Sequence, residues 1–261
     1  MGVLSPFVFM TNNLINKIAN ILQFLRKFNS KFEKYHCAFS GGKDSIVLEY
    51  LLRLAACNYD LFFYDNVLNF PEIRRFIRLQ YPHTIFLKPK YNFLQLVERK
   101  KILPTSIKRY CCQYFKECFV SKSIILTGIR RDESCHRSNR YEMEILQSDF
   151  YKGNKVLLNP LLDLTNQDIW SIIKEYNITV PDLYDKYNRV GCVGCPMSNH
   201  KSKELLIDYP KFGNMWYKAA CRVFELNPQN FTSGRDVFEW YLSNVSVNCY
   251  MLAKSQGIFN F

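Results

Sequence analysis

Hydrophobic positions along the chain follow two rhythms. Over residues 12–30 (NNLINKIANILQFLRKFNS), Leu14, Ile15, Ile18, Ile21, Leu22 and Leu25 recur at helical spacing while Lys and Arg fall off that face, which predicts an amphipathic helix with Thr11 as its N-cap. From Tyr35 onward, short apolar runs alternate with helical ones. YHCAFS, YDLFFYD, HTIFLKP and KSIILTG read as strands. SIVLEYLLRLAAC, a stretch from about Pro71 through EIRRFIRLQ, and NFLQLVERK read as helices. This alternation builds βαβ units and a parallel sheet. The strand runs are continuously apolar, as expected for strands covered on both faces. From about Pro196 the pattern turns helical, through KELLIDYPKFGNMWYKAACRVFEL and GRDVFEWYLSNV. The chain is thus divided into an N-terminal extension with an amphipathic helix (1–34), an α/β domain (35–200) and a helical C-terminal region (201–261).

Between the first strand and the first helix of the α/β domain lies FSGGKDS. A loop from a strand end to a helix start places unpaired backbone N–H groups at the positive end of the helix dipole. Gly41 and Gly42 let the backbone wrap an anion without a Cβ in the way. Ser40 and Ser45 add hydroxyl donors, Lys43 adds charge, and Asp44 sits between them. The Walker A spacing is absent. A phosphate-binding loop is the expectation, and an ordinary glycine-rich βα turn is its bland alternative.

Two further segments fit the same edge of the sheet. TGIRRDESCHRSNR follows the fourth predicted strand, where Gly128 ends the strand and Arg130, Arg131, Arg137 and Arg140 offer fork-shaped donors for phosphate or sulfate oxygens. Asp65 ends the second strand, where a carboxylate would contact a ribose. LTNQDIW carries Thr165 and Asp168 at capping-box spacing and reads as the start of a structural helix, with Trp170, Ile172 and Ile173 for the core.

Composition narrows the reading. No apolar run reaches the roughly 18 residues a membrane span needs. The opening MGVLSPFVFM lacks a basic n-region and a small-residue cleavage site, so a cytoplasmic protein without a membrane partner is expected. The formal charge of +12 suits an anionic partner, nucleotide or nucleic acid, and equally a surface kept basic for solubility. Ten cysteines without a signal sequence argue for thiols, metal ligation or redox chemistry rather than a disulfide framework. Cys111, Cys112, Cys192 and Cys195 form a set of four soft ligands. An adjacent pair is awkward for zinc, because neighbouring side chains diverge, whereas a cubane cluster accepts one. An iron–sulfur cluster, zinc and free thiols all remain open at this point.

FSGGKDS resembles the pyrophosphate-binding (PP-loop) signature of adenine nucleotide α-hydrolase-like proteins. YDNVLNFPEIRRF, TGIRRDESCHRSNR and LNPLLDLTNQDIWSIIKEYNI resemble, in order, segments of the phosphoadenosine phosphosulfate (PAPS) reductase family. The resemblance covers roughly residues 35–200. It implies a Rossmann-like parallel sheet with a helical C-terminal region, and an adenine nucleotide (ATP, adenylyl sulfate or PAPS) on Ser40–Ser45, Asp65, Gly128, Arg130, Arg131 and Arg140. It also implies a [4Fe–4S] cluster on Cys111, Cys112, Cys192 and Cys195, with Mg2+ as a further cofactor. The expected reaction is reduction of an adenylyl sulfate to sulfite, with Lys43 and Asp44 as catalytic residues and a thioredoxin-like donor. A homodimer is a further expectation. Reductases of this kind carry a nucleophilic cysteine in a C-terminal Glu-Cys-Gly context. That motif is missing, and Cys249 in VNCYMLAKSQG is the nearest candidate, with a buried helix position as its competing reading. The intact Gly-Gly-Lys-Asp core instead resembles relatives that cleave ATP, which raises an alternative: an adenylating sulfurtransferase acting on nucleic acid, of DNA-phosphorothioation or tRNA-thiolation type. A noncatalytic nucleotide-binding module is the third reading.

Overall fold

The computed structural model describes residues 10–29, 34–117, 124–133, 144–145, 156–197 and 201–258. The chain divides into two compact units. One comprises Met1–Asp65, Pro71–Lys88 and Glu117–Val190; the other comprises Asn66–Phe70, Pro89–Lys116 and Gly191–Phe261.

The first unit holds the sheet. Its strands are β1 (Tyr35–Ala38), β2 (Tyr59–Tyr64), β3 (Ile85–Leu87), β4 (Ile124–Leu126), β5 (Glu144–Ile145) and β6 (Val156–Leu158), in the order β3-β2-β1-β4-β6-β5. Every neighbouring pair is parallel except β5 with β6, which is antiparallel. The architecture is thus the parallel α/β sheet that the apolar pattern predicts and the Rossmann-like fold that the resemblance implies, with one reversed edge strand. Neither β5 nor β6, which lies between β4 and β5, had a counterpart among the predicted strands.

Helices α1 (Asn12–Asn29), α2 (Lys43–Leu54) and α3 (Pro71–Gln80) belong to this unit. In α1, Leu14, Ile18, Ile21 and Leu25 are buried, and the Thr11 side chain accepts from the Leu14 amide at 3.2 Å, so both the apolar face and the cap read from the sequence are present. α2 buries Ile46, Val47, Leu48, Leu51 and Leu52 completely. It packs against α1.

The second unit is helical. It contains α4 (Phe93–Lys100), a short turn α5 (Tyr110–Cys112) that continues as a π-helical turn over Gln113–Glu117, and, later in the chain, helices over Lys201–Asp208, Pro210–Leu226, Gly234–Ser243 and Val247–Ser255. Trp216 is fully buried at its centre. It stacks on Tyr241 with ring centroids 4.6 Å apart, lies 4.4 Å from Phe93, and donates its indole N–H to the Val193 carbonyl at 3.2 Å.

In the first unit, α6 (Asn166–Glu175) has the capping box read from LTNQDIW: the Thr165 side chain accepts from Asp168 N, and the Asp168 side chain accepts from Thr165 N. Ile172 and Ile173 are buried as expected. Trp170 is half-buried and packs edge-on against Tyr184 of the four-residue helix α7 (Leu183–Lys186).

Candidate functional site

The loop at residues 40–45 leaves the carboxyl end of β1 and enters α2. Gly41 has φ +70, and a Cβ on it would lie 2.8 Å from Ile77 Cδ1 and 2.9 Å from Ile73 Cγ2. Glycine is therefore required twice, by the left-handed backbone and by the close approach of α3. Gly42 takes the N-cap position of α2 in an extended conformation and offers no capping side chain of its own. The two serines brace the turn. Ser45 Oγ donates to the Gly42 carbonyl at 2.8 Å and accepts from the Ser40 amide at 3.3 Å. Ser40 Oγ lies 3.1 Å from Ser45 Oγ and accepts from the Gly42 amide at 3.3 Å.

Charge converges on the same turn. Lys43 is buried, and its ammonium lies 2.9 and 3.1 Å from the two carboxylate oxygens of Asp44. Asp44 also accepts from Arg130 Nε at 2.7 Å. Arg130 is buried as well, and its Nη1 donates to Asp132 at 3.2 Å and to the Leu164 carbonyl at 3.3 Å. Asp44 thus bridges two cations, and Arg130 is directed at protein acceptors. Gly128 explains how β4 comes this close: a Cβ there would lie 3.2–3.3 Å from the Asp44 carbonyl and the Ser45 amide.

Two more of the expected residues are paired within the protein. Asp65 pairs with Arg74 of α3 at 2.5 Å. Arg131 is directed at Asp163, 3.5 Å away. Arg137 and Arg140 lie outside the described residues. Cys249 sits in the first turn of the helix Val247–Ser255, its amide donating to the Ser246 hydroxyl at 3.2 Å. It is exposed, so the helix part of its competing reading holds and the burial part does not.

The four thiols of the second unit interact with one another. Cys111 is buried, and its thiol hydrogen-bonds the neighbouring Cys112. That bond, with Lys116 and Arg109 nearby and against the cost of burial, lowers Cys112 to about 6. The same bond, together with burial, pushes Cys111 far up, and burial followed by the Cys192 charge raises Cys195. The Lys116 ammonium is held above its usual range, first by Cys192, against desolvation, and then by Cys112, Cys195 and Cys111. Yet among the described residues no group of three or more His, Cys, Asp or Glu side chains could hold a metal ion. The expected [4Fe–4S] cluster is therefore withdrawn, and with it zinc, protein-held Mg2+ and metal ligation by Cys111, Cys112, Cys192 and Cys195. The physical reason lies in the same contacts. The vicinal thiols bond to each other instead of opening toward a common centre, and an ammonium already supplies the countercharge.

Tyr184 was invisible to the sequence reading. Its hydroxyl accepts from the Lys43 amide at 2.8 Å, a contact across 141 residues that no local pattern announces. Arg189 is near enough to act on the Tyr184 hydroxyl electrostatically. The only advance signal was the cluster of Tyr and Arg in LYDKYNR, immediately before GCVGC.

Comparison with known proteins places this geometry. An uncharacterised protein of Methanocaldococcus jannaschii is 31% identical over 204 residues, covering 71% of this chain and 47% of that protein; the chain spans about half of that relative's length. The adenosine 5'-phosphosulfate reductase of Anoxybacillus flavithermus is 25% identical over 185 residues, 66% of this chain and 75% of that enzyme. Among solved structures, a phosphoadenylyl-sulfate reductase from Candida auris in complex with phosphate superposes with a TM-score of 0.50 at 15% identity, covering 73% of this chain and 98% of that one, a likeness of fold. The family described as the phosphoadenosine phosphosulfate reductase domain matches residues 34–198. That span takes in the loop, the whole sheet and the Gly128–Arg130 strand end. The chain belongs to the phosphoadenosine phosphosulfate reductase family.

Proposed function

We propose that this chain reduces an adenylyl sulfate. In this reading the loop at Ser40–Ser45, with Gly128 beside it, receives the phosphosulfate end of adenosine 5'-phosphosulfate or its 3'-phosphorylated form. Asp65, Arg130, Arg131 and Arg140 belong to the same nucleotide site. A helix N-terminus whose N-cap, Gly42, carries no side chain, and which is backed by buried Lys43, is suited to such an anion.

Cys249 is the nucleophile of the proposal. Its thiolate attacks the sulfate sulfur, the sulfur–oxygen bond to the phosphate breaks, and AMP or its 3'-phosphate leaves with the electron pair. The enzyme then carries a cysteine S-sulfonate. A thioredoxin-type dithiol donor attacks the cysteine sulfur, sulfite departs, and the donor ends as a disulfide. The observation carrying this choice is exposure: among the described cysteines, Cys249 is the one classed as exposed, and the relatives at 25–29% identity are named as adenosine 5'-phosphosulfate reductases.

A second reading has its own support. The complete Gly-Gly-Lys-Asp core keeps a buried cation at the loop, which favours departure of pyrophosphate from ATP, with adenylation and sulfur transfer to a nucleic acid. The charge of +12 suits that substrate.

The test is an assay of the full chain with adenosine 5'-phosphosulfate, PAPS and ATP in parallel, each with a dithiol donor, using wild type and Cys249→Ser. Sulfite formation lost in Cys249→Ser supports reduction. Pyrophosphate release from ATP, indifferent to Cys249, supports the second reading. Tight nucleotide binding with neither product would sink both.

A further inference from the structure

The Tyr184 hydroxyl occupies the Lys43 amide, the first of α2 and part of the phosphate loop. Its oxygen is 2.8 Å from Lys43 N, an ordinary N–H···O distance, so it sits where an oxygen of a bound anion would sit. It is also the atom that a Cβ on Gly42 would meet first, at 3.2 Å. Glycine at that position therefore admits the phenol as well as a ligand. The ring is set from two sides. The Tyr184 amide donates to the Pro181 carbonyl at 3.1 Å, and the Trp170 ring meets the Tyr184 ring edge-on, with centroids 5.5 Å apart and planes at 88°.

We propose that Tyr184 is a phosphate surrogate that closes the loop in the unliganded protein, and that a pyrophosphate-type anion binds by displacing its hydroxyl from the Lys43 amide. This rests on reading residues 40–45 as the anion site. Relative bond strengths decide the direction. A hydrogen bond from an amide to an ionised oxygen is roughly twice as strong as one to a neutral oxygen. Burial pushes Tyr184 up to about 12, so the phenol is neutral near pH 7 and is the weaker of the two acceptors. Weak anions that cannot offer several oxygens to the loop are then excluded, while a di- or polyphosphate end pays the cost of opening through its other contacts. Tyr184 is in this sense a specificity-determining residue and takes no part in bond making.

The experiment compares wild type and Tyr184→Phe by calorimetry with inorganic pyrophosphate and with ATP at one fixed salt concentration. Phenylalanine keeps the ring on Trp170, and an unliganded melting curve for each protein verifies folding. Removing the competing hydroxyl is expected to tighten pyrophosphate binding about threefold to tenfold, the net worth of one neutral hydrogen bond. The Lys43 amide resonance should differ between the two free proteins and coincide once both are saturated, a readout that a merely structural tyrosine would not move. Equal affinity, or weaker binding by Tyr184→Phe, overturns the proposal; the latter would make the hydroxyl a ligand contact. If neither protein binds pyrophosphate or ATP, the loop reading itself fails. Binding by Tyr184→Phe alone supports the surrogate in its strongest form.

Discussion

The loop at residues 40–45 and the thiols at residues 111–112 and 192–195 are held in opposite ways. At the loop, backbone conformation does the positioning: a left-handed Gly41, an extended Gly42 and a Gly128 without Cβ fix where amides and charges meet. At the thiols, a left-handed Gly194 sets the turn between Cys192 and Cys195, but the sulfurs position one another through a sulfur–sulfur hydrogen bond and the Lys116 charge. Glycine geometry permits few alternatives, so the composition of the loop already implies its shape. A set of four thiols permits several, and ligation, pairing and charge compensation all use the same residues.

The sharpest way to break this comparison is to add one methyl group to each region. Gly41→Ala must place alanine at φ +70 and push Ile73 and Ile77 aside. An order-of-magnitude cost of about 2–5 kcal/mol follows from the left-handed backbone and the overpacking together. Gly194→Ala, between Cys192 and Cys195, has φ +75 and a Cβ only 2.3 Å from the Trp216 indole nitrogen, so it should cost a similar amount. Denaturant unfolding measures both. A near-neutral Gly41→Ala would show that the loop is not fixed by its backbone.

Arg130→Ala comes next. It removes one of the two cations on Asp44 and the Nη1 donor to the Leu164 carbonyl and to Asp132, which keeps its bond from the Asn166 amide. A loss of about 3 kcal/mol is expected, as for breaking a buried ion pair, read from the same unfolding curves. Arg130→Lys should recover only part of it, because an ammonium cannot serve three acceptors in the guanidinium's plane.

In the thiol region the corresponding experiment is chemical. With Cys112 lowered to about 6 by its bond from Cys111 and by Lys116, its alkylation by iodoacetamide should be nearly independent of pH above 7. Below about 6 it should fall roughly tenfold per pH unit as the thiolate takes up its proton. Lys116→Ala should move the midpoint upward. A profile centred near 8.5, the value of a free thiol, would remove the side-chain account of this region. The smallest effect is a control away from both: Thr165→Ala deletes one half of the α6 capping box and should cost about 1 kcal/mol without altering nucleotide binding.

Much of the fold was legible because its signals are local. The apolar face of α1, its Thr11 cap, the Pro71 start of α3 and the Thr165–Asp168 box each need only a few neighbouring residues. β6 was missed because three residues, Val156–Leu158, carry no period of their own, and the reversal of β5 is decided by pairing rather than by composition. The site divides in the same way. Ser40–Ser45 could be recognised from glycines and hydroxyls, whereas the pairing of Arg130 with Asp44 spans 86 residues and is set by the tertiary fold. The metal expectation failed for a related reason: thiol spacing gives the number of ligands but not their directions. Cys249 was readable as helical, while its exposure depended on packing that VNCYMLAKSQG does not encode.

The central claim is that amides at the Gly41–Gly42 bend hold the anionic end of an adenine nucleotide. Amide resonances of isotopically labelled protein, followed while adenosine 5'-phosphosulfate, PAPS and ATP are added in turn, test it most directly. The account predicts that residues 41–45 shift saturably with at least one nucleotide and return when pyrophosphate competes. Saturable binding that leaves those five amides unmoved while resonances elsewhere respond would contradict it.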